Sequence, residues 1–114
     1  MIQTDQRSNC DQVVQAALML TGKWRLAIVC ALGLGAVRSG ELRRLLPAAS
    51  KKVILENLSE MESLGLVVRR ERGGWPRHVE YELAESIRED AIELVELLLR
   101  LADRISVGGV RAAP

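Results

Sequence analysis

The chain has 114 residues, of which 48% are apolar, so it is long enough for one domain with a single hydrophobic core. Its two cysteines provide neither a disulfide framework nor a metal site, and its longest apolar run, residues 26–37, is too short for a membrane span of about 20 residues. The polar residues 1–9 do not resemble a signal peptide, and we expect a cytoplasmic protein.

The formal net charge is only +1, but the charges are unevenly distributed along the chain. Residues 23–77 contain eleven lysines and arginines against five acids, whereas residues 78–114 contain four arginines against eight acids. This division indicates two surfaces that serve different partners. The alternative is that both are solvated helix faces of unlike sign.

A polar stretch and a helix start open the chain. We expect residues 1–9 to form a flexible arm. Ser8-Asn9, with Asp11 in the following turn, is typical of a helix start, and the apolar spacing extends this first helix from Cys10 to Leu20.

A second helix follows the break at Thr21-Gly22 and begins near Trp24. Its residues are apolar almost all round, which predicts a position at the centre of the fold. Cys30 lies in this helix, so we expect its side chain to fill the core.

Two helices joined by a tight connection come next. Ser39 begins a short basic helix that Pro47 ends, and Ser50 caps a longer helix that Gly65 stops. Apolar side chains at helical spacing are expected to face the core in both helices: Leu42, Leu45 and Leu46 in the first, and Ile54, Leu58, Met61 and Leu64 in the second. The polar side chains then lie on the opposite faces.

Two strand-like runs, residues 66–72 and 78–83, flank glycine and proline at 73–76 and predict a β-hairpin. The order helix, turn, helix, β-hairpin is the outline of a winged helix-turn-helix. The predicted fold is therefore mainly α with a β-hairpin wing.

The last predicted helix, residues 84–105, carries a wide apolar stripe. This stripe exceeds what a domain of this size can cover, so we expect the chain to dimerise through its N- and C-terminal helices. The alternative is that the helix packs only on its own core. The glycine-rich residues 106–114 are expected to form a flexible tail, which leaves 10–105 as the winged-helix domain.

Several motifs occur together in the order of one known family. They are Cys10, Gly22-Lys23-Trp24, residues 40–46, Ser50-Lys51-Lys52-Val53, Leu58, Leu64-Gly65-Leu66-Val67, Pro76 and residues 79–83. In this combination the chain resembles the HxlR-type winged-helix transcriptional regulators, relatives of the MarR group. The resemblance covers residues 10–101 and implies a regulator of transcription. The chain departs from the family pattern at Ala48-Ala49 and at Leu55-Glu56.

The second helix of a helix-turn-helix presents its first turns to base edges while its back face holds the core. The predicted DNA-binding residues are Arg43, Arg44, Ser50, Lys51, Lys52, Leu55, Glu56, Ser59, Arg72, Arg77 and His78. The two lysines can reach phosphates or guanine, whereas Glu56 either specifies cytosine or signals lost affinity. We predict a homodimeric repressor on a pseudo-palindromic operator of double-stranded DNA, with half-sites about one helical turn apart. The alternative for the lysines is a solvated helix face.

Cys10 is a candidate sensor of oxidants. A cysteine at this place in the resembled family can react with oxidants or electrophiles, and a helix N-terminus favours the thiolate while Asp11 opposes it. The alternative is an inert small residue. The resemblance also allows a small effector between the dimer helices and the winged domain.

An enzyme is not expected, and neither is a cofactor or a metal. Gly33-Leu34-Gly35 follows a helix and lacks the spacing of a phosphate-binding loop, and the single histidine has no partners for a catalytic or metal site. The second hypothesis is a winged-helix protein-interaction module that has lost DNA binding. The acids of the longer helix favour it: Glu56, Glu60 and Glu62.

Overall fold

The computed structural model describes residues 6–20, 22–76 and 78–105. Within these ranges the elements are α1 (Gln6–Leu20), α2 (Arg25–Ala31), β1 (Val37–Arg38), α3 (Ser39–Leu45), α4 (Lys51–Ser63), β2 (Val67–Arg72), β3 (His78–Leu83) and α5 (Glu85–Ile105). The strands form one antiparallel sheet in the order β1-β3-β2. The predicted winged helix-turn-helix, mainly helical with a small wing, is confirmed.

The wing is a hairpin of β2 and β3 in which Val67 pairs with Leu83 and Arg72 pairs with His78. The short strand β1 adds to its other edge, where Val37 pairs with Tyr81. The sequence did not predict β1, because two residues are too few to show the alternation that identifies a strand.

The core lies where α2, α3 and α4 meet the inner end of the sheet. Its buried apolar residues are Ile28, Val29, Leu32, Leu42, Ala49, Ile54, Leu58, Met61, Val67, Tyr81 and Leu83. Helix α2 contributes Ile28, Val29 and Leu32 to this core, while its opposite side, at Cys30, is exposed. The partly buried Ile87, Ala91 and Val95 pack α5 against this core.

Local chemistry explains the bounds of α4. The Ser50 hydroxyl accepts a hydrogen bond from the Val53 N–H at 3.1 Å, which caps the first turn. At the other end Gly65 adopts a φ of +80°, and the Leu66 N–H donates to the Met61 carbonyl at 2.9 Å. This closing geometry favours glycine and satisfies a carbonyl that the helix itself leaves unpaired.

Three expectations about burial are wrong. Cys30 is exposed, because Ile28, Val29 and Leu32 define the buried side of α2 and Cys30 lies almost opposite them. Leu45 is 49% exposed and Leu64 is 43% exposed. Leu45 is the last residue of α3, and Leu64 is the C-cap of α4.

The first helix starts earlier than predicted. Helix α1 begins at Gln6, so it includes the end of the stretch expected to be an arm, and Cys10 is its fifth residue rather than its head. Residues 1–5 and the predicted tail 106–114 lie outside the described residues.

Among the described residues, no single helix is long and apolar enough to cross a membrane. Asn9–Leu20 and Arg25–Ala31 reach that length and hydropathy only as a pair, and they are bent by 76° at their break. Core helices of water-soluble proteins reach the same values.

Candidate nucleic-acid interface

Helix α4 has one face in the core and one face in solvent. Ile54, Leu58 and Met61 are each at most 1% exposed and fix the buried face. The predicted DNA-reading residues all lie on the exposed side or at the start of the helix: Ser50, Lys51, Lys52, Leu55, Glu56 and Ser59. The structure therefore brings these six residues onto one continuous surface.

A shallow cavity of about 140 Å³ separates α3 from the start of α4. Its lining includes Arg43 from α3 and Lys51 and Leu55 from α4. The connection between the helices is fixed by Ala49, which is buried and whose N–H donates to the Leu46 carbonyl at 3.0 Å. Arg43 and Lys51 thus present two positive charges beside the N-terminus of α4, where the helix dipole adds partial positive charge.

Arg44 is exposed on α3, but its Nη2 lies 2.6 Å from Oε1 of Glu41 one turn earlier. This pair neutralises part of the positive charge that the sequence assigned to α3. Arg43, in contrast to Arg44, faces the cavity between α3 and α4.

The predicted wing contacts are engaged within the sheet. Arg72 Nε lies 3.0 Å from Oε1 of Glu80, and His78 Nε2 lies 3.6 Å from Oε2 of the same carboxylate. Arg70 and Arg88 each lie 3.0 Å from an oxygen of Glu82. The acids of β3 therefore compensate much of the positive charge of the wing.

These pairs hold the pKa of Glu82 below its ordinary value, mainly through the hydrogen bond from Arg70 and also through Arg88. Sequence reasoning missed the pairing of the wing. The signal was present, since Glu80 and Glu82 alternate on β3 and Arg70 and Arg72 alternate on β2.

The tip of the wing carries Trp75, whose side chain is 93% exposed. Arg77, the remaining predicted wing contact, lies outside the described residues.

Both cysteines are free thiols on the surface. Cys10 is the fifth residue of α1, so it lies beyond the first turn of the helix rather than at its head. Within the part of the chain that the structure describes, no group of three or more metal-ligating side chains occurs.

Comparison with known proteins identifies one group of relatives. The model of the HxlR-like helix-turn-helix family matches residues 19–106. YtcD of Bacillus subtilis, an HTH-type transcriptional regulator that is itself uncharacterised, is 40% identical over 73 residues, which are 63% of this chain and 58% of YtcD. The chain thus matches less than two thirds of the length of this relative.

Solved structures share the fold over most of the chain. The reduced form of the transcriptional regulator YodB from Bacillus subtilis superposes with a TM-score of 0.73 at 25% identity, covering 96% of this chain and 99% of YodB. The redox regulator HypR in its reduced form superposes with a TM-score of 0.72 at 26% identity, covering 83% of this chain and 92% of HypR.

Proposed function

Because this chain belongs to the HxlR-like helix-turn-helix family, we propose that it represses transcription by binding a pseudo-palindromic operator in double-stranded DNA as a homodimer. The observation that carries this proposal is the division of α4 into a buried apolar face and an exposed face that begins with a capped N-terminus and two lysines. This is the arrangement that a recognition helix needs in the major groove.

The exposed face of α4 offers both phosphate and base contacts. Lys51 and Lys52 lie in the first turn, where the N-terminus attracts phosphate and where a lysine can also reach guanine. Leu55 and Glu56 lie one turn further along the exposed face, where a recognition helix contacts base edges. An apolar side chain suits a thymine methyl and a carboxylate suits the amino group of cytosine, so these two residues would set sequence preference.

Arg43 supplies a further phosphate contact beside the reading helix. It lines the same small cavity as Lys51, so the two charges are close enough to contact one segment of DNA backbone. Affinity should then fall steeply with salt, because each neutralised phosphate releases counterions.

Homodimerisation is supported by apolar surface on the two terminal helices. In α1, Val13 is 58% exposed and Val14 is 55% exposed. In α5, no residue is fully buried, and the exposed apolar side chains of its second half are Leu97, Leu98, Leu99, Leu101 and Ile105. A surface of this kind marks an interface, and a second copy of the chain would cover it symmetrically.

The signal that controls binding is a separate part of the proposal. The Cys10 thiol is exposed and therefore accessible to an oxidant, and the relative HypR is a redox regulator. The alternative is a small effector bound between the dimer helices and the winged domain. Binding to DNA needs no catalysis, so we propose a non-enzymatic protein of the cytoplasm.

Selection from a random duplex pool tests the function. The purified protein should enrich one sequence with two-fold related half-sites, and its binding should weaken as salt rises. Enrichment that disappears with hydrogen peroxide in the wild type, but persists in Cys10→Ser, would establish the cysteine as the sensor. Failure to retain any duplex would overturn the proposal and favour the protein-interaction module.

A further inference from the structure

Arg25, the first residue of α2, connects the ends of two other helices. Its Nη1 donates to the Met19 carbonyl in the last turn of α1 at 2.7 Å, and its Nη2 lies 2.7 Å from Oε1 of Glu60 near the end of α4. The Arg25 side chain is 18% exposed and that of Glu60 is 63% exposed, so the ion pair lies at the surface while most of the arginine side chain is covered. One side chain thus links α1, α2 and α4.

The link joins the domain to a helix whose described side chains lie mostly on the surface. Every side chain from Cys10 to Met19 is exposed, whereas Leu20 and the following Trp24 pack against the core. The Met19 carbonyl is one of those that a helix end leaves without an intrahelical partner. A guanidinium at this end also complements the helix dipole.

The acid at the other end of the link is placed where a helix alone would not favour it. Glu60 lies in the last turn of α4, and a carboxylate there opposes the helix dipole. Pairing with Arg25 offsets this cost. The start of α4 at Lys51 lies about 13 Å away along the helix axis, so Arg25 is remote from the lysines that begin the proposed DNA surface. Its partner Glu60 directly follows Ser59, at the far end of that surface.

We propose that Arg25 is a positioning residue that fixes the angle between α1 and the recognition helix α4. Since α1 contributes to the proposed dimer interface, this angle sets the separation of the two recognition helices, and that separation selects the spacing of the half-sites. The inference rests on the proposed function, because it requires a dimer that binds two half-sites.

The test compares three variants on a series of duplexes. Arg25→Met removes both contacts and retains the apolar stem, Glu60→Gln removes only the charge pair, and Glu62→Gln is the matched control on the same helix. The probes are the duplex that the wild type selects from a random pool, the same duplex with one base pair added or removed between half-sites, and a single half-site.

Arg25→Met should lower affinity for the selected spacing by about tenfold while single half-site binding and the salt dependence stay as in the wild type. The affinities of this variant for duplexes with different half-site spacings should become more nearly equal. In Glu60→Gln the affinity for the selected spacing should fall by a smaller factor, because the hydrogen bond from Arg25 to Met19 remains. Glu62→Gln should bind all duplexes as the wild type does.

Two results would overturn this role of Arg25. One is a spacing preference that Arg25→Met and Glu60→Gln leave unchanged. The other is a loss of equal size on every duplex, together with a lower melting temperature, which would show that Arg25 serves only folding. If the wild type selects no duplex, the proposed function itself is contradicted. If the wild type selects a site but its spacing preference does not depend on Arg25, only the role of Arg25 is contradicted.

Discussion

Arg72 and Glu80 form an ion pair across the two wing strands, with Nε of the arginine 3.0 Å from Oε1 of the glutamate. The same carboxylate lies 3.6 Å from the His78 ring. Glu80 therefore pairs with Arg72 and lies beside His78, the two predicted wing contacts that the structure describes. A phosphate must compete with this carboxylate for Arg72.

Removal of Glu80 should strengthen DNA binding. In Glu80→Gln the Arg72 guanidinium can turn to a phosphate, so we expect duplex affinity at low salt to rise about threefold and the salt dependence to steepen. Fluorescence anisotropy with a labelled duplex measures both quantities. Glu89→Gln, which makes the same charge change on α5, should have no such effect, and equal gains in the two variants would contradict the competition.

The ion pairs of Glu82 predict a pH-dependent stability. Because the native pKa of Glu82 lies below its ordinary value of about 4.5, the native state binds this proton less readily than the unfolded chain does. The resulting stabilisation is fully present above the unfolded pKa and disappears as the pH falls through the native pKa.

Glu82→Gln lacks this stabilisation at every pH. We therefore expect wild type and variant to differ in their free energy of unfolding at pH 7 and to converge as the pH falls through the lowered native pKa of Glu82. Urea denaturation across this range measures the difference. A gap that stays constant down to acid pH would show that the charge of Glu82 does not cause it.

The cap of α4 should contribute measurably to stability. Ser50→Ala removes the acceptor for the Val53 N–H, and the loss of such a cap costs about 1 kcal/mol. Chemical denaturation should detect it. Ser59→Ala, an exposed position within the same helix, should leave stability the same or slightly higher because alanine is the better helix former; a similar loss in both variants would contradict the capping role.

Much of the fold was predictable because its signals are local. Ser50 and Gly65 mark the ends of α4, and Ile54, Leu58 and Met61 show its period, so bounds and buried face followed from the sequence. Strand β1 was missed because its two residues acquire their structure only by pairing with β3.

The errors concern properties that depend on neighbours in space. Cys30 was expected in the core because α2 is apolar all round, yet the side of α2 that carries it borders a shallow groove with Val95 of α5. The pairing of Arg72 with Glu80 depends on strand register, and the link from Arg25 to Glu60 joins distant parts of the chain. The alternating arginines and acids of the wing identify the first pairing only once the register is known, and the second link leaves no local pattern.

Dimerisation through α5 should depend on its exposed leucines. Leu98 is 40% exposed and borders the groove between α2 and α5. Leu98→Glu should place a charge in the proposed interface, so sedimentation equilibrium should show a shift from dimer to monomer and operator affinity should fall. Leu98→Met, which conserves an apolar side chain, should remain dimeric, and a dimeric Leu98→Glu would place the interface elsewhere.

The most direct test of the central claim is the binding of Lys51→Glu to the duplex selected by the wild type. Lys51 begins the exposed face of α4, so reversal of its charge should reduce duplex affinity by at least about tenfold and lower the salt dependence. The control is Lys23→Glu, which changes an exposed lysine before α2 and should bind nearly as the wild type does. Equal melting temperatures would show that both variants are folded. Operator binding by Lys51→Glu that equals the wild type would contradict the assignment of α4 as the recognition helix.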